Sequence, residues 1–219
     1  MPNWVKNVVT VSRTGDNNDG FDKFVKECLN TKDKDGDNVP FTFNAVVPMP
    51  ESLDIAEGSD TGLGITLVTG TDEDKCSVRN KAKDEEQLKM WEELGKKAIS
   101  NMEKYGSYTW YNWRLQNWGT KWDACECYIN NEDEDSVCIC FDTAWSTPEP
   151  LMRELSKKYG VYVFVQYADE DLGSNCGEYE YQEGELTNEY LGDYDFACEL
   201  WGYDADELRA EWEEDESEG

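Results

Sequence analysis

The chain has 219 residues, with 20 Lys and Arg against 49 Asp and Glu, a formal net charge of -29 and no His. Such a charge repels nucleic-acid phosphates and anionic lipid headgroups, so neither is expected as a direct partner, and the lack of His removes the commonest general base and metal ligand. Hydrophobic residues at 38% and aromatics at 13% suffice to build a core, so a folded acidic protein is expected rather than a disordered one.

Residues 3–13 are rich in β-branched side chains and read as a strand. After the polar turn 14–20, Phe21, Phe24, Val25, Cys28 and Leu29 fall on one face of a helix. Asp33–Asn38 reads as a turn and Val39–Val47 as a short strand ended by Pro48 and Pro50. The Gly- and acid-rich stretch Glu51–Asp74 reads as a surface loop. Asp84–Tyr105 is a helix with the stripe Leu88, Trp91, Leu94, Ala98, Met102 and Tyr105, and an acidic first turn that suits its dipole.

An aromatic cluster, Tyr108 to Trp122, leads into two strands, Asp123–Asn130 and Ser136–Trp145, joined as a hairpin by a polar turn. Pro148–Tyr159 is a helix ended by Gly160, Val161–Tyr167 a strand, and Glu178–Gln182 a further strand. Setting aside residues 31–122 leaves the order β-α-β-β-α-β. That predicts an α+β protein with a ferredoxin-like split βαβ antiparallel sheet, both helices on one face, and 31–122 as a long helical insertion in a domain spanning 1–182.

Residues 183–219 form an acidic C-terminal extension with fifteen Asp and Glu against one Arg. Trp201, Ala205, Leu208 and Trp212 are spaced as one face of a helix, with Asp204, Glu207, Glu211 and Glu214 on the neighbouring face. At the other end, Met-Pro-Asn-Trp-Val-Lys lacks a basic region followed by an apolar one, and no stretch reaches the roughly 18 apolar residues of a membrane span. A cytoplasmic protein with reduced thiols and no membrane partner is expected, in the host cytoplasm if phage-encoded.

Four motifs stand out: Met-Pro-Asn-Trp at 1–4, Val-Val-Pro-Met-Pro-Glu at 46–51, Asn-Trp-Gly-Thr-Lys-Trp-Asp at 117–123 and Phe-Asp-Thr-Ala-Trp-Ser-Thr-Pro at 141–148. On these the chain, from residue 1 to about residue 182, resembles the YubB-like (Api-type) proteins of plasmids, genomic islands and phages. The resemblance implies a ferredoxin-like domain and a mobile-element origin. It brings no chemistry to named residues, and Val5 stands where family members often carry a Cys.

Cys125, Cys127, Cys138 and Cys140 form a Cys-x-Cys on each hairpin strand. With the turn centred between Glu132 and Asp133, Cys127 faces Cys138, Cys125 faces Cys140, and all four share one sheet face. A pleat holds same-strand neighbours about 6–7 Å apart, too far to converge on zinc at about 2.3 Å. They are therefore expected as small buried hydrophobes under the helices, without metal. Asp33, Asp35, Gly36 and Asp37 lack the Gly and Glu that a calcium loop needs at its sixth and twelfth positions. Gly62, Gly64 and Gly70 do not make a phosphate loop. No catalytic residue and no cofactor are assigned.

In the motif Asn117–Asp123, Trp118 and Trp122 either pack the insertion on the sheet, with Lys121 pairing Asp123, or form an exposed binding patch. The function expected is a non-enzymatic acidic binding protein of a phage or mobile element. It would act as an anti-defence inhibitor (anti-CRISPR or anti-restriction) by nucleic-acid mimicry on the basic groove of a host nucleic-acid-binding defence protein. Asp204, Glu207, Glu211, Glu214, Trp118 and Trp122 are its candidate partner-binding residues. The alternative is a carboxylate-dependent enzyme or a nucleic-acid-processing accessory protein. Equally, an acidic surface serves plain solubility.

Overall fold

Val5, Val9 and Val11 alternate with half-buried neighbours along Trp4–Ser12, and this two-residue period lays the segment down as strand β1. In the computed structural model, which describes residues 2–15 and 19–210, helix α1 (Asp19–Cys28) follows, burying Phe21, Phe24 and Cys28. Strands β2 (Leu29–Lys32) and β3 (Asn38–Phe41) make a separate hairpin across the turn that Asp33 closes. One Asp33 carboxylate oxygen there accepts from the backbone nitrogens of Asp35 and Asp37. The strand expected over Val39–Val47 stops at Phe41, and Phe43–Val46 is a single helical turn, α2. Its cause is distant in sequence. The Asp123 carboxylate accepts from Phe43 N at 2.7 Å and from the Thr42 hydroxyl at 2.5 Å, satisfying a first-turn amide that has no partner within the helical turn.

Residues Met49–Asn117 form a compact unit of their own. It is narrower than the expected insertion 31–122, because β2, β3 and α2 belong with the sheet. After a 3-10 turn (Glu51–Leu53) come helices α3 (Ser59–Thr69), α4 (Asp72–Arg79), α5 (Glu85–Tyr105) and α6 (Trp110–Asn117). The loop expected over Glu51–Asp74 is therefore mostly helical. Gly64 in α3 and Gly95 in α5 meet so closely that a Cβ on either would run into the other helix's backbone. In α3, glycine thus marks helix-to-helix contact instead of a loop. Leu67, Val78 and Trp91 form this unit's core, and the Trp91 indole donates to Asp60 Oδ1 at 2.9 Å.

The remaining elements are strands β4 (Cys125–Glu132) and β5 (Ser136–Ala144), helix α7 (Glu149–Tyr159), strands β6 (Tyr162–Asp169), β7 (Cys176–Gln182) and β8 (Glu185–Leu191), and helix α8 (Tyr194–Trp201). With Met1–Pro48 they make the second unit, an antiparallel six-stranded sheet in the order β4-β5-β1-β6-β7-β8. Its first four strands stand in the order expected of a split βαβ repeat. Helices α1 and α7 share one face, where the Phe24 and Tyr159 rings lie 5.6 Å apart at 65°. Under them sit Val9, Ile139, Phe141, Val163 and Val165, all buried.

The segment after residue 182 is not an appendage. β8 continues the sheet beside β7, and α8 covers part of the opposite face through Ala197 against Ala168 and Cys176. The single amphipathic helix expected from Trp201 to Trp212 is interrupted. Gly202 adopts the left-handed conformation (φ 80°) and caps α8, and residues 205–210 begin a new helical turn. Trp201 therefore lies on a different helix from Leu208. No helix among the described residues is long and apolar enough to cross a membrane.

Candidate partner-binding surface

Three of the four sequence motifs meet at one corner of the sheet unit. Trp4 at the start of β1 lies 5.7 Å from Trp122. Lys121 extends its ammonium between two indoles, 3.9 Å from the Trp122 ring centre and 3.6 Å from that of Trp145. Trp145 is half exposed and follows β5 with φ 69°, held there by its own N–H to Asn3 O and by Asn175 Nδ2 donating to its carbonyl. Asn3 also donates to Asp169, and Trp4 N to Glu170 Oε1. Two indole faces around one ammonium attract that cation. Lys121 is engaged by these aromatic rings, and the Asp123 carboxylate bonds Thr42 and Phe43 at the start of α2.

Trp118, proposed from sequence as a binding residue, is buried. Its indole donates to Val47 O at 2.9 Å and its ring meets Phe43 edge-on. It packs α2 on the sheet and is not available to a partner. Trp122 is half-buried at the corner just described. Asp204 and Glu207 are exposed, and Asp204 Oδ1 caps the turn that follows by accepting from the backbone nitrogens of Asp206 and Glu207. Glu211 and Glu214 lie outside the described residues.

The sheet face not covered by α1 and α7 carries the thiols. Two register shifts in β4 set Tyr128 opposite Cys140, Asn131 opposite Cys138 and Cys125 opposite Asp142, so the expected Cys–Cys pairing does not form. Glu126, at φ 47°, turns Cys127 to the helix side, where its thiol meets the Phe41 backbone and burial pushes it up to about 12. Cys138 and Cys140 hydrogen-bond each other on the open face. Bonds from Cys140, then from Asn130 and Thr10, hold the Cys138 thiol below its ordinary value against the opposing effect of burial, while Cys140 is raised. The four thus divide between the two faces. Among the described residues no three Cys, Asp or Glu side chains group as a metal site.

Also on the open face, burial raises the Asp142 carboxyl. Lys6 opposes that shift, and Glu126 and Glu170 add to it. The Lys6 ammonium rests 4.6 Å from the Trp201 ring centre.

A large share of the net negative charge follows β6. From Asp169 to Ala210 the chain has fourteen Asp and Glu and one basic residue, Arg209. Arg209 bonds Asp195 and Asp206. From sequence, this charge is expected on a terminal helix; in the structure β7, β8 and α8 carry part of it. Glu185–Leu191 has no apolar alternation and is exposed throughout, so its pattern does not mark it as a strand.

A family model agrees with this fold. Residues 121–216 match the family model described as a ferredoxin-like domain in Api92-like protein. This chain is similar to the YubB- and Api92-like proteins. The uncharacterized protein YubB of Escherichia coli (strain K12) is 29% identical over 102 residues, which are 45% of this chain and 66% of YubB. The chain thus spans just under two thirds of that relative's length. A crystal structure of the protein api92 from Yersinia pseudotuberculosis aligns over 89% of this chain and 98% of its own, at 12% identity and a TM-score of 0.46. The matched Api92-like domain contains β4 to α8 and hence both the open-face thiols and the acidic outer strands.

Proposed function

We propose that this protein is a non-catalytic binding protein whose acidic outer strands dock on the basic groove of a nucleic-acid-binding protein, in the manner of a nucleic-acid mimic. The observation that carries this reading is the run from Asp169 to Ala210, in which fourteen carboxylates face one arginine that is already engaged by two of them. Carboxylates at alternate strand positions, such as Glu178 and Glu180, repeat at about 6.6–6.8 Å. That is roughly one charge for every two nucleotides of a DNA strand. Asp204 and Glu207, one helical turn apart at about 5–6 Å, add to the same charge. A groove built for phosphates accepts such a row, and complementary charge gives fast, salt-sensitive association. The resemblance to mobile-element proteins points to a defence protein of the host as that partner.

The test is affinity capture from host lysate, followed by competition. The captured nucleic-acid-binding protein should be displaced by duplex DNA and by rising salt. It should be lost when Asp204, Asp206 and Glu207 are all changed to Lys. Binding that neither salt nor DNA disturbs would overturn the reading.

A further inference from the structure

We infer that β8 is a docking edge that takes an extended, basic segment of the partner as an additional antiparallel or parallel strand. This rests on the acidic-binding reading and names the form of the partner. All seven residues of β8 are exposed, including Leu186, Tyr190 and, at 75%, Leu191. Among the described residues, β8 has β7 on one side and no strand on the other.

Its hydrogen bonding is half used. Gly192 N donates to Cys176 O, so the antiparallel alternation directs the backbone groups of Tyr190 and Asn188 toward β7 and those of Glu189 and Leu191 outward. An outward row of N–H and C=O groups is a template for another strand. Edges are commonly blunted with Pro, Lys, a bulge or a very short strand; β8 has no Pro or Lys, and its one register shift lies between Leu186 and Asn188, leaving Asn188–Leu191 in regular register.

Charge selects the occupant. A second copy would set Glu185 and Glu189 near their counterparts and bring together two chains of net charge -29. Like charges across a strand pair are destabilising, so self-pairing is opposed. A basic segment meets the reverse situation on both faces. Glu189 lies with Leu186 and Leu191 on the α1/α7 side, and Glu185 with Asn188 and Tyr190 on the other. Each face thus offers one carboxylate beside an apolar group, which matches Lys or Arg mixed with apolar residues on the incoming strand.

The experiment titrates the full chain with a fluorescein-labelled peptide of Lys, Val and Thr by anisotropy. Two further peptides have the same sequence but carry N-methyl groups on every second backbone nitrogen, one in each frame. N-methylation keeps the charge and removes strand hydrogen bonds. The unmethylated peptide should bind, and one methylated frame should lose at least about tenfold in affinity. Glu189→Pro, which removes an outward N–H, should bind the unmethylated peptide at least about tenfold more weakly than Glu189→Gln. If both methylated frames bind as tightly as the parent, or Glu189→Pro matches Glu189→Gln, edge pairing is wrong while the acidic surface remains a binding surface. If no peptide binds even at low salt, both readings fall.

Discussion

Gly64 on α3 and Gly95 on α5 touch backbone to backbone, leaving no room for a side chain on either. Gly62, two residues earlier on α3, has nothing within 4 Å of where its Cβ would stand. One helix therefore carries a glycine that packing requires and another that it does not.

Opposite responses to alanine follow. Gly95→Ala forces the helices apart and should destabilise the Met49–Asn117 unit by about 1–3 kcal/mol. Gly62→Ala should stabilise it by about 0.5–1 kcal/mol, since alanine loses less backbone freedom in a helix. Urea unfolding of the two variants checks this, and equal effects would contradict the close approach.

The aromatic corner yields a second test. Removing the Lys121 ammonium takes a cation from between Trp122 and Trp145. Lys121→Met should cost about 1–2 kcal/mol and shift the tryptophan emission, whereas Lys121→Arg should keep most of both. Thermal unfolding followed by intrinsic fluorescence reads the two quantities together.

Asp142 gives a pH dependence whose sign is fixed by burial. Its folded-state pKa lies above the ordinary carboxyl value, mainly because burial disfavours the charge. The folded protein therefore holds that proton more tightly than the unfolded chain, and stability falls as pH rises through the folded value. Asp142→Asn should be more stable than wild type at pH 7, with the difference closing below about pH 4. Melting temperatures across pH 3–8 test it, and a variant less stable at pH 7 would show that the link to Lys6 outweighs burial.

Cys138 should be the most readily alkylated of the hairpin thiols at mildly acidic pH. Hydrogen bonds from Cys140, Asn130 and Thr10 favour its thiolate, whereas burial raises Cys127. Peptide mapping after iodoacetamide at several pH values gives the order of reaction. Cys140→Val removes the first of those bonds and should move the Cys138 midpoint upward. An unmoved midpoint would mean that the Cys140 thiol does not stabilise the thiolate.

Local sequence signals determined β1, α1, α5, α7 and β6 within two residues at each end. In each, the apolar repeat, a Pro start or a Gly stop acts inside a single segment. The order of these elements was enough to anticipate the first four strands of the sheet. Tertiary structure decided the rest, because the deciding partner lay far along the chain. Asp123 turned Phe43 from strand to helix, and Gly95 gave Gly64 its helical place. Bulges in β4 split four cysteines that a straight register would have aligned. The acidic residues were countable from the start, but only the pairing of β8 with β7 set Glu185 and Glu189 on a strand that, among the described residues, is the last of the sheet. Charge is a property of composition, and its arrangement in space depends on which backbones hydrogen-bond.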